Sequence, residues 1–418
     1  MRSLSATTTR CSRAAQHRRG VSYVSDPVFQ PSLDRVGKLV SSSLDSLVQL
    51  RPNQEPWTTA LETLGNIAKS PRKSLFRPQL VFLGSLAGME VCSQKTRLDF
   101  PNHPGLKHIE SFAAGVEMQH LYMVVHDDVM DHGTIRRGLP TVQISLSKTG
   151  LVRSSQAGRE VADHLAVLIG DSANAASVKL MVSGGVVGLQ RPQALEVILD
   201  SAMHAGAAQF EDVIGWQGVE QRLVQGEYLH DICQTHATAI ASYHGFSAPL
   251  VAGYRLTNQS GGGGASAEFE LGLSQFGNKL GTAFYGLQDV TDIVCDSSET
   301  GKDSLQDLRE GRWCMPLFSL RKFASEAEWD EVSQILRGFH TSGHFAGPMS
   351  LYDRKKILGL MHTHRIIGRT IDSSEALLDE AEREWIQKWK ATAPGFAAGC
   401  QKFIDALRNE SNGLRDKI

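Results

Sequence analysis

The feature that most constrains the fold is an apolar helical stripe that runs directly into three carboxylates. Apolar residues recur at the three- and four-residue spacing of one helix face through residues 109–124. Continuing that period places Asp127, Asp128 and Asp131 on the same inward face. Carboxylates on the buried side of a helix are costly unless they are paired or bind a metal. The segment therefore predicts a buried helix that ends in a cation-binding site.

The residues around these carboxylates indicate which cation and which substrate they serve. Carboxylates with few other donors suit a hard divalent ion, above all Mg²⁺, which takes waters and substrate phosphates as its remaining ligands. Arg136 and Arg137 follow a few residues later, and adjacent arginines can bind the same phosphates. Acids, a metal and arginines in one short segment indicate diphosphate chemistry.

A second acidic segment follows another apolar helical stripe. Asp289 and Asp292 stand at positions i and i+3 behind the stripe of residues 276–287, and Lys302 comes shortly afterwards. Two acidic helices in one helical domain can face each other and hold metal ions between them. We therefore expect the two segments to form one site.

Helical periodicity dominates the rest of the chain, and no convincing alternating pattern predicts a strand. None of the breaks resembles a domain linker, so we expect a single all-α domain over residues 28–418. The helix candidates are residues 28–50, 56–70, 77–92, 106–131, 158–183, 192–214, 217–232, 237–257, 266–296, 315–340, 350–364 and 373–410.

Composition narrows the classes of partner. The chain carries 43 Lys and Arg against 45 Asp and Glu, so nucleic acid and anionic membrane surfaces are not expected partners. No run of about 18 apolar residues exists, so no membrane-spanning helix is expected. The six cysteines lack metal-ligand spacing, which favours reduced thiols in an intracellular compartment.

The N-terminal segment is basic. Residues 1–20 contain five arginines, many Ser and Thr, and the first acid of the chain is Asp26. We expect residues 1–27 to form a disordered basic tail on a cytoplasmic protein. The alternative is a transit peptide for a mitochondrion or plastid, because such peptides are rich in Arg and Ser and poor in acids.

In order and spacing these motifs resemble the trans-isoprenyl diphosphate synthase family, also called polyprenyl synthetases, and most of all its actinobacterial members. The resemblance extends over residues 70–320. The matching elements are Glu117-Met118-Gln119-His120, Asp127-Asp128-Val129-Met130-Asp131, Arg136-Arg137-Gly138, Gly170-Asp171 and the segment from Phe284 to Arg312.

The resemblance implies an isoprenoid-synthase-type helical bundle around a central apolar cavity, with the two acidic motifs facing each other across its mouth. It implies two or three Mg²⁺ ions, with Mn²⁺ as the alternative ion. Their implied ligands are Asp127, Asp128, Asp131, Asp289 and Asp292.

The resemblance also implies two substrates. Arg136 and Lys302 are implied to bind an allylic prenyl diphosphate. Lys302 and the three aspartates of the first motif are implied to be the catalytic residues that act on its leaving group. Arg77, His120 and Arg137 are implied to bind isopentenyl diphosphate. The family further implies a homodimer, with a heteromer containing another prenyl synthase as the alternative.

Product length is read from the residues just before the first motif. Tyr122 and Met123 stand five and four places ahead of Asp127. In the family, bulk at these positions forms the floor of the cavity and favours short products. We expect C10–C15 products, with C20 as the upper alternative. A structural alternative is that Tyr122 packs against a neighbouring helix.

Several positions depart from the family pattern. Gln288, which we expect to contribute to substrate binding, stands where the second motif normally begins with Asp. A neutral amide at this position should weaken a metal bound chiefly by that helix. Ser74 and Leu75 occupy the positions of a Lys-Arg pair on the acceptor side. The family's Gly-Gln falls on Gly226-Glu227.

These departures leave four functions open. The first is a Mg²⁺-dependent transferase that joins an allylic diphosphate and isopentenyl diphosphate into a C10–C20 trans-prenyl diphosphate. The second is a terpene cyclase, which ionises one prenyl diphosphate and needs no acceptor site. The third is a prenyltransferase with a different acceptor, and the fourth is a non-catalytic regulatory subunit. The intact first motif argues against the fourth.

Overall fold

The computed structural model describes residues 27–93, 100–150, 156–183, 191–258, 264–338 and 349–418. Apart from Pro27, the expected basic tail at residues 1–27 lies outside the described residues. The described residues are overwhelmingly helical, which confirms the all-α class.

The elements follow one another along the chain with short connections. They are α1 (Gln30–Val48), α2 (Glu55–Lys69), α3 (Phe76–Ser93), a short 3₁₀ helix (Phe100–Asn102), α4 (Leu106–Met130), β1 (Ile135–Arg136), β2 (Leu139–Pro140), α5 (Val142–Ser147), α6 (Gln156–Val182), α7 (Arg191–Ile214), α8 (Trp216–Val224), α9 (Leu229–Ala237), a π-helical segment (Thr238–Ser247), α10 (Ala248–Thr257), α11 (Gly264–Val294), α12 (Ser297–Thr300), α13 (Gln306–Glu310), α14 (Met315–Phe323), α15 (Glu326–Gly338), α16 (Leu351–Thr363), α17 (Ile366–Ala381), a π turn (Glu382–Ile386), α18 (Gln387–Thr392) and α19 (Pro394–Arg415).

Three helices expected to be continuous are broken. The candidate at 217–232 divides at Gly226, whose φ of 91° is a left-handed turn conformation. The candidate at 315–340 divides at Ala324, where the backbone is extended. The candidate at 373–410 divides at Ala393, because the residue before Pro394 is sterically excluded from the α region.

A small antiparallel hairpin was not expected from the sequence. Ile135 pairs with Pro140 and Arg136 pairs with Leu139. Arg137 and Gly138 form its turn with φ of 54° and 79°, the signs that a two-residue hairpin turn of this hand requires. Each strand has only two residues, which is too short for an alternating pattern to be read.

Helix α4 lies at the centre of the bundle and packs along α6, with α1 and α3 on its other sides. A large apolar cluster joins these helices to α10, α11 and α19. A smaller cluster, centred on Trp216 and Trp313, joins α8 to α14–α16. Helices α3 and α10 touch at Gly84 and Gly253, where an added Cβ would come within 2.0 and 2.1 Å of a backbone oxygen on the other helix.

Helix α6 departs from the expectation on membrane spans. Among the described residues, its stretch Ala157–Val182 is long and apolar enough to cross a membrane. An 18-residue window within it has a mean hydropathy of 1.4 and is 33% buried. The expectation was based on the absence of an unbroken apolar run. Helix α6 has no such run, and it reaches its mean hydropathy with many small residues. Its buried side packs closely on α4, where Gly115 approaches Met181 and Gly170 approaches His126.

Candidate active site

The first acidic motif lies where the sequence places it, at the C-terminal end of α4. Asp127 and Asp128 are in the last turn, and Asp131 follows the last helical residue. The guanidinium of Arg136 reaches back from the hairpin. Its Nη2 lies 2.9 Å from Asp127 Oδ2, and its Nε donates to Asp128 Oδ1 at 2.8 Å. Arg136 is therefore bound to the predicted metal ligands.

Burial makes this motif electrostatically costly. It raises the pKa of Asp128 to about 6, although Arg136 opposes the rise. Burial and the neighbouring charge of Asp127 also raise the pKa of Asp131 well above its ordinary value. Carboxylates crowded in a low-dielectric site stabilise any cation that binds among them.

A second arginine, Arg312, which sequence reasoning did not assign to the site, brings further positive charge to the carboxylates. Arg312 Nη2 lies 2.7 Å from Asp131 Oδ1, and its Nη1 lies 3.4 Å from Asp212 Oδ2 on α7. Burial raises the pKa of Asp212 to about 7. Asp212 had no distinguishing sequence signal, because its helix also carries Glu196, Asp200 and Glu211.

Helix α7 also supplies an amide to the first motif. Gln209 Nε2 lies 3.4 Å from Asp127 Oδ1, one turn before Asp212. The family's Gly-Gln was aligned from the sequence with Gly226-Glu227, as a departure from the family pattern. Those residues form an exposed turn, and Glu227 pairs with Arg222 at 2.7 Å.

The second acidic motif is also buried. Asp289 Oδ2 accepts a hydrogen bond from Met315 N at 2.7 Å, and Asp292 Oδ1 lies 3.8 Å from Lys302 Nζ. Burial, then the charge of Asp307, raises the pKa of Asp292 to about 7. The same two causes raise the pKa of Asp289. Asp307 is a third acid of this cluster that the sequence did not single out.

Gln288 contradicts its predicted role in substrate binding. Its Nε2 donates to Glu410 Oε1 on α19 at 2.7 Å. The amide thus faces the C-terminal helix, and the metal-facing alignment proposed from the sequence is wrong at this position. Helical period alone could not reveal this, because the partner lies 122 residues further along the chain.

Three hydrogen bonds join the loops that follow the two motifs. Gly138 N donates to Gly301 O at 2.7 Å, and Thr134 N donates to Asp303 Oδ2 at 2.8 Å. Gln306 Nε2 donates to Asp131 O at 2.9 Å. The two acidic motifs therefore share one site, as expected from the sequence.

A partly buried basic cluster lies two to three turns before the acidic motif, along the same face of α4. Arg137 Nη2 is 3.9 Å from Glu117 Oε1, and its Nη1 donates to Ile67 O at 3.1 Å. The Nε of Arg77 is buried without a hydrogen-bond partner. Lys73 also belongs to this cluster, since Glu117 and Arg137 both influence its pKa.

The charges of this cluster are only partly balanced. Three cations surround the single carboxylate of Glu117, whose pKa is raised by burial. Burial lowers the pKa of Arg77 to about 10. Burial and the charges of Arg77 and Arg137 lower the pKa of His120 well below its ordinary value. The excess of positive charge makes the cluster suitable for an anion.

Tyr122 is one of the two residues predicted to set product length. Tyr122 packs edge-on against His126, with ring centroids 5.3 Å apart, and Asp171 on α6 contributes to the raised pKa of Tyr122. His126 Nε2 lies 3.0 Å from Val167 O on α6. Tyr122 therefore lies where α4 meets α6, with its ring against His126 of its own helix. This placement favours the structural alternative. Met123 stays a prediction.

The donor set fits a hard divalent cation in its chemistry. The two motifs, with Asp212 and Asp307, hold seven aspartates. The cations that contact them among the described residues include Arg136, Arg312 and Lys302. Within the described part of the chain, no three His, Cys, Asp or Glu side chains converge closely enough to ligate one ion. A bound ion therefore requires carboxylates to exchange their arginine contacts for metal contacts.

A helical bundle in which two acidic helix ends share one site beside a buried basic cluster defines a protein of the isoprenoid-synthase fold. Comparison with known families agrees. The chain belongs to the polyprenyl synthetase family, whose model matches residues 62–344.

Individual relatives and structures support this assignment. The short chain isoprenyl diphosphate synthase of Methanothermobacter thermautotrophicus is 28% identical over 226 residues, covering 54% of this chain and 60% of that protein. The nonaprenyl diphosphate synthase of Mycobacterium tuberculosis is 28% identical over 210 residues, covering 50% of this chain and 52% of that protein. The chain thus spans less than two thirds of the length of either relative.

One similar solved structure is geranylgeranyl pyrophosphate synthase from Corynebacterium glutamicum, complexed with isoprenyl diphosphate and magnesium. It has a TM-score of 0.68 at 18% identity, with 90% of this chain and 97% of that chain covered. A polyprenyl synthase from Caulobacter crescentus has a TM-score of 0.65 at 18% identity, with 93% and 96% covered. At these identities the likeness concerns the fold.

Proposed function

We propose that this chain is a divalent-metal-dependent prenyltransferase. It joins an allylic prenyl diphosphate to isopentenyl diphosphate and releases a short-chain (C10–C20) trans-prenyl diphosphate. The observation that carries this proposal is the buried basic cluster of Lys73, Arg77 and Arg137 beside the acidic site. A cyclase handles one diphosphate and needs no second anion site.

The two anion sites have distinct roles. The acidic site holds the allylic diphosphate through Arg136, Lys302 and the divalent ion. The basic cluster holds isopentenyl diphosphate through Arg77 and Arg137, with His120 kept neutral by its surroundings. The separation of charge suits these roles, because each diphosphate binds where positive charge is available.

The reaction follows from this placement. The allylic C–O bond breaks and its electron pair leaves with the diphosphate, whose charge is stabilised by Arg136 and Lys302. The double bond of isopentenyl diphosphate forms the new C–C bond to the allylic carbon. The resulting cation then loses a proton to the departed diphosphate. Apolar surroundings exclude water, which would otherwise capture the cation.

The metal ligands are proposed from the buried carboxylates. Asp127, Asp128 and Asp131 serve on one side, and Asp289 and Asp292 on the other. Bound Mg²⁺ would supply charge stabilisation for the leaving diphosphate. The pKa values of these groups, raised by burial and by mutual repulsion, support binding of a cation between them.

A terpene cyclase is the second candidate. It is favoured by Ser74 and Leu75, which replace two cations of the acceptor site, and by a buried Ser74 Oγ without a hydrogen-bond partner. The two functions differ in their need for isopentenyl diphosphate. Incubation with Mg²⁺, labelled isopentenyl diphosphate and geranyl or farnesyl diphosphate distinguishes them. Label in a longer prenyl diphosphate supports elongation, whereas terpene formed from the allylic substrate alone contradicts it.

We also propose that the protein is a homodimer. Helices α6 and α7 expose large apolar side chains that lack cover, including Leu168, Met203 and Phe210 at 56%, 66% and 70% exposure. An exposed apolar face of this kind is typical of an interaction surface. Light scattering after size exclusion should give twice the chain mass, and Phe210→Glu should shift the protein towards monomer. A monomeric parent protein would contradict the proposal.

A further inference from the structure

The C-terminal helix contacts the second acidic motif at the position where the family motif departs. Gln288 Nε2 donates to Glu410 Oε1 at 2.7 Å. Glu410 Oε2 is buried and has no hydrogen-bond partner among the residues that the structure describes. Gln288 immediately precedes Asp289 and stands one helical turn before Asp292. Any rotation of this end of α11 would therefore move both acids together with the amide.

Further contacts hold the end of α19 in the same region. Lys417 Nζ lies 2.6 Å from Glu299 Oε2 on α12, just before the Gly301 turn and Lys302. The same ammonium lies 3.1 Å from Cys295 Sγ, at the end of α11. Arg415 pairs with Glu375 on α17 at 2.6 Å. The last turns of α19 thus touch both the helix that carries the acids and the segment that leads to Lys302.

We infer that Glu410 is a positioning residue that acts through Gln288 to orient the end of α11 carrying Asp289 and Asp292. Gln288 then links α11 to the C-terminal helix. Of the residues in this region, Asp289, Asp292 and Asp307 face the metal site and Gln288 does not. The inference on metal binding rests on the proposed function. The inference on the Gln288–Glu410 contact does not, and it is tested separately by stability.

The chemistry of the pair explains why an amide stands at position 288. A carboxylate there would face the Glu410 carboxylate at hydrogen-bond distance in a poorly solvated site. Two carboxylates so placed cannot both ionise without strong repulsion. The amide instead offers an N–H to the Glu410 oxygen. Restoring the aspartate typical of the family should therefore damage this protein unless Glu410 is changed as well.

The experiment compares Gln288→Asp, Glu410→Gln and the double variant. Thermal unfolding at pH 8 is followed without ligand. Calorimetric titration with Mg²⁺ and inorganic pyrophosphate then measures binding at the acidic site without any turnover. The matched control is Gln401→Asp, because Gln401 donates to Asp405 at 3.2 Å in an exposed pair on the same helix.

We expect Gln288→Asp to lower the Tm by about 3–5 °C and to weaken pyrophosphate binding about tenfold. The double variant should recover both, because the exchanged amide and carboxylate can bond again. Glu410→Gln keeps an acceptor oxygen and should bind pyrophosphate like the parent protein. The exposed control should move the Tm by less than about 1 °C.

Two results would overturn the inference. A Gln288→Asp variant that binds Mg²⁺ and pyrophosphate more tightly, whatever stands at position 410, would mean that residue 288 faces the metals. A Tm recovered in the double variant without recovered pyrophosphate binding would reduce the pair to a packing contact. A parent protein that does not bind pyrophosphate with Mg²⁺ would refute the proposed function, whereas recovery of the Tm in the double variant would still support the Gln288–Glu410 contact.

Discussion

Replacing Arg77 by Met should raise the stability of the protein and weaken substrate binding. Burial disfavours the charge of Arg77, whereas the diphosphate of the substrate requires it. Burial lowers the pKa of Arg77 from 12.5 to about 10, which means that the folded state disfavours its charged form. The unfolded chain carries no such penalty. At pH 7, below both values, Arg77 is charged in both states, so the full cost falls on the native state.

The magnitude follows from this pKa. Each tenfold change in a protonation equilibrium corresponds to about 1.4 kcal/mol, so the buried charge of Arg77 costs about 3 kcal/mol. Its guanidinium recovers about 1 kcal/mol over the ring of Phe76, 4.5 Å away. Met keeps the apolar stem and removes both terms. The variant should therefore be more stable by about 2 kcal/mol, a rise in Tm of about 2 °C for a chain of this length.

The same substitution should damage acceptor binding. Loss of one or two charge-assisted hydrogen bonds should raise the KM for isopentenyl diphosphate about 10- to 100-fold. The KM for the allylic diphosphate should change less than about twofold, since Arg77 lies in the other cluster. The matched control is Arg337→Met, which removes a surface ion pair with Glu220 and should alter neither constant.

Scanning calorimetry and initial rates with each substrate varied in turn provide both measurements. A fall in Tm of more than about 3 °C would show that Arg77 is a structural partner in the fold. An unchanged KM for isopentenyl diphosphate, with folding intact, would refute its assignment to the acceptor site.

Three further changes have defined outcomes. Asp128→Ala should reduce turnover at least about 10³-fold, and near-normal initial rates would refute the metal assignment. Met123→Ala should lengthen the product while Tyr122→Ala leaves it unchanged, as read by chromatography of the released prenyl alcohols; the reverse pattern would contradict the contact of Tyr122 with α6. Burial raises the pKa of Glu410 to about 7 against an ordinary 4.5, so the folded state prefers the protonated form and stability should fall by about 3 kcal/mol as pH rises from 4.5 to 7. Glu410→Gln should remove this part of the slope in urea unfolding, and an unchanged slope would assign it elsewhere.

Much of the first motif could be predicted because it depends on one helix. The apolar period of α4 places Asp127, Asp128 and Asp131 at its end, and the structure keeps them there. Arg136 could be expected nearby, since a short connection cannot carry it far. What the sequence did not indicate is that Arg136 is bound to the carboxylates themselves.

The partners that come from distant segments could not be predicted. Arg312 reaches Asp131 across 181 positions of sequence and meets Asp212 on α7. Gln209 carries no local pattern that distinguishes it from other polar residues, and Asp307 belongs to the matched segment from Phe284 to Arg312 without a role assigned to it. Their roles depend on how α7 and α13 pack against the end of α4, and a helical period does not specify which neighbour a face meets.

By itself the sequence determined the all-α class, the family and the two acidic motifs, because these follow from local periodicity and from motif order along the chain. Only the tertiary structure decided that Gln288 turns to Glu410 and that Tyr122 lies where α4 meets α6. It also decided that Lys73 joins Arg77 around Glu117. Each of these is a contact between helices, and its energy depends on burial and on charges contributed by segments far apart in sequence.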